Sequence, residues 1–429
     1  TGSENEYAVP AGRVARGRLL PPPSKSLTQR VFNLALLARR PVTVARPLIA
    51  EDTELFLTAL RALGIESSHQ DDGVRLTSQA VPRRAQLWCG DNGTMLRFLT
   101  ASLAVLPGQW TLDGSARLRQ RPVGPLVDAL RALGARIEYE RRPGFAPLRI
   151  LGDRLEGSAT VVLDSSRSSQ FASALLMAAT QMRGPLQIEL KSTVSAPYLD
   201  LTMEVLRCFG ADVSRGTSPD PFLVRPVELQ GGDYTVEADF SAAAYPAAAA
   251  VLTKGEVELR GVGEQSRQGD RCFLDVLVQM GASLEWGREG VIVRGGDTLT
   301  AVDVDFVDVP DQVPTLAALA PFAHGRTVIR NVQHLRLKES DRLSAMACEL
   351  RRLGAAVEEY PDGLAIDGSW SDGSPPSDRV VVDTHGDHRM AMSLAICGLR
   401  RPGLVVGNPQ VVAKSYPSFW RDFESLLDA

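Results

Sequence analysis

A unit of about 70 residues occurs six times along this 429-residue chain, and that repetition limits the folds the chain can adopt. Five copies contain a predicted helix that ends in a hydrophobic residue followed by glycine. These glycines lie 70 to 76 residues apart and are Gly64, Gly134, Gly210, Gly281 and Gly354. Glycine in this place is typical of a helix C-terminus that enters the left-handed conformation. The period exceeds the roughly 20 to 50 residues of solenoids and propellers, so each copy is expected to be a small subdomain.

A second, more apolar helix is predicted upstream in each copy. The six predicted ranges are 26–37, 93–105, 168–179, 241–252, 311–324 and 387–399. A turn and a short strand-like segment follow each helix, and two further short segments follow the glycine. The unit is therefore interpreted as βαβαββ. The predicted fold class is α/β (α+β), with two domains of three such repeats and parallel helices.

The length of the chain also argues for two domains, because a single core rarely extends over 429 residues. The chain is expected to cross between domains near residues 20–25 and 236–241. One domain would then be discontinuous, formed by residues 1–22 and 239–429, and the other would span residues 23–238. We expect the active site in the cleft between them.

Charge and cysteine usage restrict the partners and the compartment. The formal net charge of -4 argues against nucleic acid as the main partner, which usually binds a basic face. Five scattered cysteines without a Cys-x-x-Cys pair indicate reduced thiols and predict a cytoplasmic protein. No apolar run approaches the 18 or so residues of a membrane span, so no membrane partner is expected.

Metal binding was considered for two histidines. His385 and His388 lie three residues apart with Asp387 between them, a spacing compatible with metal ligands. No further cluster of ligands accompanies them in the sequence. We therefore expect no metal.

The start of the first apolar helix has the character of an anion site. Ser24 or Ser26 can cap it, which leaves backbone N–H groups at the positive end of the helix beside Lys25 and Arg30. Such a terminus attracts phosphate. The alternative is an ordinary capped helix with two solvated cations.

The other helix starts and the loops after them are rich in cations. The full set is Lys25, Arg30, Arg97, Arg121, Lys338, Arg342, Arg389 and Lys414. If these side chains face one cleft, they form a positive pocket that suits small substrates with phosphates and carboxylates. Asp311 and Glu339 lie among them and are candidates for proton transfer. The chain has no P-loop, no Rossmann fingerprint and no Gly-x-Ser-x-Gly, so ATP, hydride-transfer and esterase chemistry have no support.

Seven motifs together resemble one known family. They are Pro23-Ser24-Lys25-Ser26 with Arg30, Gly93-Thr94 with Arg97, Arg121-Pro122-Val123-Gly124, Ser168-Ser169-Gln170-Phe171, Ser195-Ala196-Pro197-Tyr198, Arg336-Leu337-Lys338-Glu339-Ser340-Asp341-Arg342, and Asp387-His388-Arg389-Met390-Ala391-Met392. From about residue 14 to 423 the chain is similar to the 5-enolpyruvylshikimate-3-phosphate synthases, which are enolpyruvyl transferases.

The resemblance implies a reaction and its partners. The enolpyruvyl group of phosphoenolpyruvate would move to the 5-hydroxyl of shikimate 3-phosphate with release of phosphate, in the shikimate pathway of aromatic amino-acid biosynthesis. No cofactor is implied. The enzyme would be a monomer and would be inhibited by glyphosate.

The resemblance also implies roles for individual residues. Lys25, Asp311 and Glu339 would be catalytic: Asp311 would take the proton of the attacking hydroxyl, and Glu339 would serve the methylene carbon. Shikimate 3-phosphate would be bound by Lys25, Ser26, Arg30, Ser168, Ser169, Ser195, Asp311 and Lys338. Phosphoenolpyruvate would be bound by Lys25, Gly93, Arg121, Gln170, Arg342, Arg389 and Lys414.

Two positions depart from the family pattern. Asp91 stands where the family most often has Asn, and His334 stands where some members have Asn. Asp91 is expected to be the N-cap of the helix that begins near Gly93. The resemblance also implies that it lies near the phosphate of phosphoenolpyruvate, where a carboxylate would oppose the anion. A glycine at position 93 goes with glyphosate sensitivity in the family.

Two alternatives were weighed. The UDP-N-acetylglucosamine enolpyruvyl transferases share the fold, but they usually carry a catalytic cysteine where this chain has Ala116. A non-catalytic anion-binding protein on the same fold would be expected to lack Asp311 or Glu339, and both are present.

Overall fold

The computed structural model describes residues 5–79, 82–216, 221–372 and 374–427. The chain divides into two compact units. The discontinuous unit consists of Thr1–Pro22 with Ala238–Ala429, and the continuous unit of Pro23–Glu237. Each unit has a hydrophobic core of its own.

The chain starts with two strands of the discontinuous unit and then forms the whole continuous unit. The two strands are β1 (Glu6–Ala8) and β2 (Arg16–Leu19). The helices of the continuous unit are α1 (Lys25–Ala38), α2 (Glu51–Ala62), α3 (Gly93–Ala104), α4 (Gly124–Ala132), α5 (Gln170–Ala179) and α6 (Pro197–Cys208). Its strands are β3 (Val42–Ala45), β4 (Ile65–Gln70), β5 (Gly73–Ser78), β6 (Arg84–Trp88), β7 (Gly108–Asp113), β8 (Arg136–Tyr139), β9 (Leu148–Gly152), β10 (Ala159–Ser165), β11 (Leu186–Thr193), β12 (Asp212–Arg215), β13 (Phe222–Arg225) and β14 (Gly232–Thr235).

The rest of the discontinuous unit follows. Its helices are α7 (Phe240–Thr253), α8 (Cys272–Gln279), α9 (Val313–Leu319), α10 (Arg342–Arg352), α11 (His388–Gly398) and α12 (Phe419–Ser425). Its remaining strands are β15 (Glu256–Arg260), β16 (Ser283–Trp286), β17 (Gly290–Arg294), β18 (Asp303–Asp305), β19 (Arg326–Arg330), β20 (Val357–Tyr360), β21 (Gly363–Asp367), β22 (Val380–Val382) and β23 (Leu404–Gly407). Short 3-10 helices occur in both units at Leu118–Gln120, Gly269–Arg271, Pro310–Gln312, Ala320–Phe322, Gln333–Leu337 and Pro409–Lys414. Within the described residues, none of these helices combines the length and the apolar character required to cross a membrane.

One sheet pattern recurs through both units. In the order β6-β7-β9-β8, the first two strands are parallel and the later pairs are antiparallel. The orders β10-β11-β13-β12, β14-β3-β5-β4, β2-β15-β17-β16 and β18-β19-β21-β20 repeat it. A three-stranded sheet, β22-β23-β1, begins with the same parallel pair. The predicted βαβαββ repeat and the α/β class are confirmed.

Two sheets are completed by a strand that is distant in sequence. Strand β14 pairs in parallel with β3, so the last strand of the continuous unit completes its first sheet. Strand β2 pairs in parallel with β15, with Gly17 opposite Val257. Strand β2 therefore belongs to a sheet whose other strands follow residue 255.

The six apolar helices form because nearly every side chain on them can be buried. In α7 every residue from Phe240 to Leu252 is buried, and most are alanines that allow close approach of neighbours. The predicted helix bounds are confirmed to within two residues in five copies. The fifth helix, predicted for residues 311–324, is instead a short α-helix between two 3-10 turns. Pro321 explains the early end, because it has no N–H to donate to the carbonyl of Ala317 and so interrupts the α-helical hydrogen bonds.

The glycines that define the repeat have the backbone that the sequence predicted. Gly64, Gly134, Gly210, Gly281 and Gly354 have φ angles of 82°, 93°, 74°, 111° and 93°. Each lies in the left-handed region, which side chains other than glycine adopt at a cost. This conformation ends the amphipathic helix and turns the chain into the following strand.

Gly134→Ala tests this constraint. A Cβ at Gly134 would meet no heavy atom within 4 Å, so its cost is that of the left-handed backbone alone. We expect the free energy of unfolding to fall by about 1 kcal/mol, measured by urea denaturation. Gly263→Ala is the matched control, because its Cβ also meets nothing and its φ lies outside the left-handed region. Equal destabilisation by both variants would contradict the backbone explanation.

Candidate active site

Several residues predicted to form the site lie at the starts of the apolar helices, where caps fix the first turn. The side chain of Ser24 accepts from the backbone N–H of Leu27 at 3.4 Å, so Ser24 is the cap of α1. Asp239 caps α7 by accepting from two backbone N–H groups. Asp387 caps α11 by accepting from the N–H of Arg389 at 3.0 Å. These caps hold the first residue of each helix in place.

The predicted cap of α3 is wrong. The side chain of Asn92, not of Asp91, accepts from the N–H of Met95, at 2.9 Å. A tight turn, in which the N–H of Asn92 donates to the carbonyl of Cys89 at 2.8 Å, brings the Asn92 side chain over the helix start. The Asp91 carboxylate accepts instead from the hydroxyl of Ser115.

Lys25, the first residue of α1, is linked to the start of α3. Its ammonium nitrogen lies 3.2 Å from a carboxylate oxygen of Asp52, which is nearly buried. The carbonyl oxygen of Asp52 accepts from the side-chain amide of Asn92 at 3.0 Å. Asp52 therefore fixes the Lys25 side chain relative to the turn that precedes Gly93.

Gly93 allows a close approach by Arg121. A Cβ at position 93 would lie 2.6 Å from Cζ of the Arg121 guanidinium. The same guanidinium donates from Nη1 to the carbonyl oxygen of Asp91 at 2.9 Å. The glycine thus leaves space for a cationic group against the first turn of α3.

Gln170 and Arg97 form a second group in the continuous unit. Arg97 donates to the side-chain oxygen of Gln170 at 2.6 Å and to the carbonyl of Pro122 at 3.0 Å. Gln170 donates in turn to the hydroxyl of Thr94 at 2.9 Å. These contacts connect the starts of α3 and α5.

Arg30 lies under the first turn of α1. Its buried guanidinium donates to the carbonyl of Ser26 at 2.9 Å, to the Thr202 hydroxyl at 2.8 Å and to the carbonyl of Tyr198 at 3.2 Å. Burial lowers the pKa of Arg30 to about 10, and the phenols of Tyr198 and Tyr234 oppose that change. These hydroxyl and carbonyl acceptors are neutral, so an anion at Ser26 would benefit from the guanidinium charge beneath it.

Three of the four predicted serine ligands lie just before or at the start of a helix, outside α1. The Ser168 hydroxyl accepts from the N–H of Gln170 at 3.2 Å, and Ser169 is the buried residue before α5. Ser195 has a left-handed φ of 56° and is 5% exposed at the start of α6. Left-handed serine is uncommon and points to a constrained loop.

The discontinuous unit brings six predicted residues into one ionic network. The Arg342 guanidinium, 1% exposed, donates at 2.8 Å to each of three carboxylates, on Asp311, Glu339 and Asp387. Arg389 donates to the other oxygen of Asp311 at 2.9 Å. The two lysines lie at the edge of this network: Lys338 is 4.0 Å from Asp311, and Lys414 is 3.9 Å from Glu339.

The network keeps Asp311 ionised. Burial alone would raise the pKa of its carboxyl, but the charges of Arg389, Lys338 and Arg342 together hold it well below its usual range. For Arg342, burial favours loss of the proton, yet the three carboxylates raise the pKa of its guanidinium. This part of the site therefore consists of fixed, opposite charges at hydrogen-bonding distance.

Several functional candidates escaped the sequence analysis. Asp387 was noted at a helix start but given no role, although it belongs to the Asp-His-Arg motif. No sequence motif marks Tyr245 as a site residue, yet its hydroxyl lies 3.4 Å from a nitrogen of Arg389. Asp52 had no signal either, because it reaches Lys25 from a different helix. Asp270 is buried, and burial and the charge of Asp311 raise its pKa.

His334, which departs from the family pattern, is 3% exposed. Among the described residues, neither of its ring nitrogens has a hydrogen-bond partner. Burial and the charge of Lys338 lower the pKa of His334 to about 4, and Asp311 opposes this change. The side chain is therefore a neutral imidazole beside two site residues.

The two histidines considered as metal ligands have separate surroundings. His385 Nε2 lies 3.1 Å from a carboxylate oxygen of Glu349. His388 is buried, with Nδ1 3.7 Å from Asp387. Within the described ranges, no group of three or more His, Cys, Asp or Glu side chains is arranged to hold a metal ion.

The acid stability of an Asp311→Asn variant tests the network. The pKa of Asp311 is lower in the folded chain than in the unfolded one, so its ionisation stabilises the fold above about pH 4 and this contribution is lost as the pH falls. We expect the variant to be less stable by about 1 to 3 kcal/mol at pH 7 and the difference to shrink from about pH 5 downward. Urea unfolding of both proteins at a series of pH values measures it. A difference that stays constant with pH would contradict the assigned charges, and Asp200→Asn, in an exposed ion pair with Arg215, is the control.

Comparison with known proteins agrees with this geometry. The family model for EPSP synthase (3-phosphoshikimate 1-carboxyvinyltransferase) matches residues 10–423. A 3-phosphoshikimate 1-carboxyvinyltransferase from Syntrophobacter fumaroxidans is 42% identical over 416 residues, which cover 96% of this chain and 97% of that protein. One from a Sulfurovum species is 39% identical, covering 98% of this chain and 99% of that protein.

A solved structure agrees as well. The EPSP synthase from Acinetobacter baumannii superposes with a TM-score of 0.82 at 27% identity, over 99% of this chain and 98% of that one. The resemblance seen in the sequence motifs is thereby confirmed. With its fold, motifs and full-length relatives in agreement, this chain belongs to the EPSP synthase (3-phosphoshikimate 1-carboxyvinyltransferase) family.

Proposed function

We propose that this chain transfers the enolpyruvyl group of phosphoenolpyruvate to the 5-hydroxyl of shikimate 3-phosphate and releases phosphate. Membership of the family supports this reaction. The observation that carries it is the placement of two carboxylates, Asp311 and Glu339, on the same buried Arg342 guanidinium, with Arg389 on the far oxygen of Asp311. Two carboxylates and several cations are what proton transfer between anionic substrates requires.

The proposed ligands of the two substrates follow from the family motifs. The phosphate and hydroxyls of shikimate 3-phosphate would be bound by Lys25, Ser26, Arg30, Ser168, Ser169, Ser195, Asp311 and Lys338. The phosphate and carboxylate of phosphoenolpyruvate would be bound by Lys25, Gly93, Arg121, Gln170, Arg342, Arg389 and Lys414. The guanidinium groups support this assignment, because they bind carboxylate and phosphate in bidentate fashion.

The reaction would proceed by addition and then elimination. Asp311 would take the proton of the 5-hydroxyl as its oxygen attacks C2 of phosphoenolpyruvate. Glu339, protonated in the substrate complex, would donate its proton to C3, and Asp311 would later pass the hydroxyl proton to the departing phosphate. The tetrahedral intermediate would then lose phosphate while Glu339 takes a proton back from C3, which restores the methylene group. Lys25 would stabilise charge on the departing phosphate.

The ionic network gives Asp311 a way to become a base at the right moment. In this structure the charges of Arg389, Lys338 and Arg342 lower the pKa of Asp311, and a carboxylate with a lowered pKa is a weak base. The carboxylate of phosphoenolpyruvate would compete for Arg342 and Arg389 and add a negative charge nearby. Both effects would raise the pKa of Asp311 when the second substrate is bound.

Further expectations accompany this proposal. The chemistry uses side chains alone and calls for no cofactor. Glyphosate would compete with phosphoenolpyruvate, and a cytoplasmic monomer is the form we expect to act.

The direct test is phosphate release from phosphoenolpyruvate by the purified protein. We expect release only when shikimate 3-phosphate is present, and none when UDP-N-acetylglucosamine replaces it. Release that is independent of shikimate 3-phosphate, or no release with both substrates, would contradict the proposed function.

Glu339→Gln separates binding from chemistry. The amide keeps the shape of the side chain but cannot deliver a proton to C3, so we expect kcat to fall by about a hundredfold or more. The Michaelis constants of both substrates should change much less. Steady-state phosphate release with each substrate varied in turn measures both effects, and near-normal turnover would exclude Glu339 from proton transfer.

Gly93→Ala tests the close approach of Arg121. The added methyl would overlap the guanidinium, whose displacement costs little stability but alters the space for phosphoenolpyruvate and for glyphosate. We expect the inhibition constant for glyphosate to rise by roughly tenfold or more, and by a larger factor than the Michaelis constant for phosphoenolpyruvate. Gly263→Ala serves as the control with an open Cβ position. Equal changes in both constants would count against the assignment.

A further inference from the structure

A buried carboxylate holds the loop that precedes α11. Glu349, on α10, is 1% exposed. One of its oxygens, Oε2, accepts from the backbone N–H of Asp383 at 3.1 Å and from the guanidinium of Arg352. The other, Oε1, lies 3.1 Å from His385 Nε2. Two of these three partners, Asp383 and His385, belong to the loop of residues 383–387. The proposed reaction gives this loop no role.

The loop has a conformation that requires support. His385 and Gly386 are consecutive left-handed residues, with φ angles of 51° and 67°. Glycine adopts this region readily, but histidine does so less easily. The turn is closed by the N–H of Asp387, which donates to the carbonyl of Thr384 at 2.8 Å. Glu349 contacts the loop on both sides of this turn's first residue and so resists its relaxation.

The residue at the end of the loop sets the ionic network. Asp387 accepts from Arg342 Nε at 2.8 Å, from the N–H of Arg389 at 3.0 Å and from the Ser340 hydroxyl at 3.1 Å. Helix α10 thus contacts the loop twice: Arg342 contacts Asp387 at the end of the loop, and Glu349 contacts the residues before it. Glu349 lies seven residues after Arg342, about 10 Å along the helix. A shift of the loop would move Asp387 and with it the guanidinium of Arg342.

We propose that Glu349 is a positioning residue for the reaction, which acts through the 383–387 loop on Asp387, Arg342 and Arg389. Its contact with His385 holds the left-handed turn, and the turn holds Asp387. The inference rests on the proposed function for its effect on activity, since Arg342 and Arg389 are assigned there to phosphoenolpyruvate. It predicts that loss of the contact weakens phosphoenolpyruvate binding more than shikimate 3-phosphate binding.

Two variants test the contact in the full-length protein. Glu349→Gln keeps the volume but removes the charge that His385 and Arg352 contact. His385→Asn removes the imidazole while asparagine still accepts a left-handed backbone. We expect each to raise the Michaelis constant for phosphoenolpyruvate, by roughly tenfold for Glu349→Gln, and to leave that for shikimate 3-phosphate within about twofold. Amide hydrogen exchange should quicken in peptides that cover residues 383–390.

The control separates positioning from general stability. Arg401 is buried just after α11 and donates to the Leu353 carbonyl at 3.4 Å and to the Asp378 carboxylate at 3.2 Å. Arg401→Met should lower the melting temperature as Glu349→Gln does, yet leave both Michaelis constants within about twofold.

The double variant, Glu349→Gln with His385→Asn, completes the test. Because both changes break the same contact, its effect should not exceed that of Glu349→Gln alone by more than about twofold. Fully additive effects, or a Glu349→Gln protein that loses stability with an unchanged constant for phosphoenolpyruvate and unchanged exchange, would overturn the proposal. If the wild-type protein releases no phosphate, the proposed function fails, while the exchange comparison still decides whether Glu349 holds the loop.

Discussion

The buried guanidinium of Arg342 is the charge on which the site in the discontinuous unit depends. Removing such a group from water costs several kcal/mol unless its donors and its charge are compensated. Here three carboxylates accept from it at 2.8 Å, and one of them, Asp311, is shared with Arg389. The compensation explains why these acids and bases lie together, and it also means that a substrate anion at Arg342 would compete with an existing ionic network.

The repeated fold explains why charged groups occur at equivalent positions, near the N-termini of the apolar helices. Each copy buries an apolar helix almost completely, and the charged residues on these helices lie within their first two turns. Caps such as Ser24, Asn92 and Asp387 hold those starts in place. The proposed functional residues Lys25, Gly93 and Arg389 lie one or two positions after these caps.

Much of this could be predicted from the sequence, and what could not has a physical reason. The glycines at residues 64 to 354 predicted the repeat because only one residue type fits a left-handed helix end easily. The family motifs predicted most members of the Arg342 network, although Asp311 lies 31 residues from Arg342 in sequence, and only Asp387 was given no role. The contacts of Asp52 and Glu349 could not be predicted, since each reaches its partner from a different helix. The cap of α3 was misplaced by one residue, because Asp91 and Asn92 are neighbours and Asp and Asn cap helices equally well.

In the proposed reaction, the carboxylate of phosphoenolpyruvate would take Arg342 and Arg389 from Asp311 and so make Asp311 a base. The most direct measurement is carbon-13 NMR of the carboxyl group of Asp311, assigned by comparison with Asp311→Asn, in a pH titration with and without an unreactive carboxylate analogue of phosphoenolpyruvate. The account predicts no titration of this signal in the free protein over the range in which it stays folded, and a titration within that range when the analogue is bound. A signal that behaves identically in both titrations would contradict it.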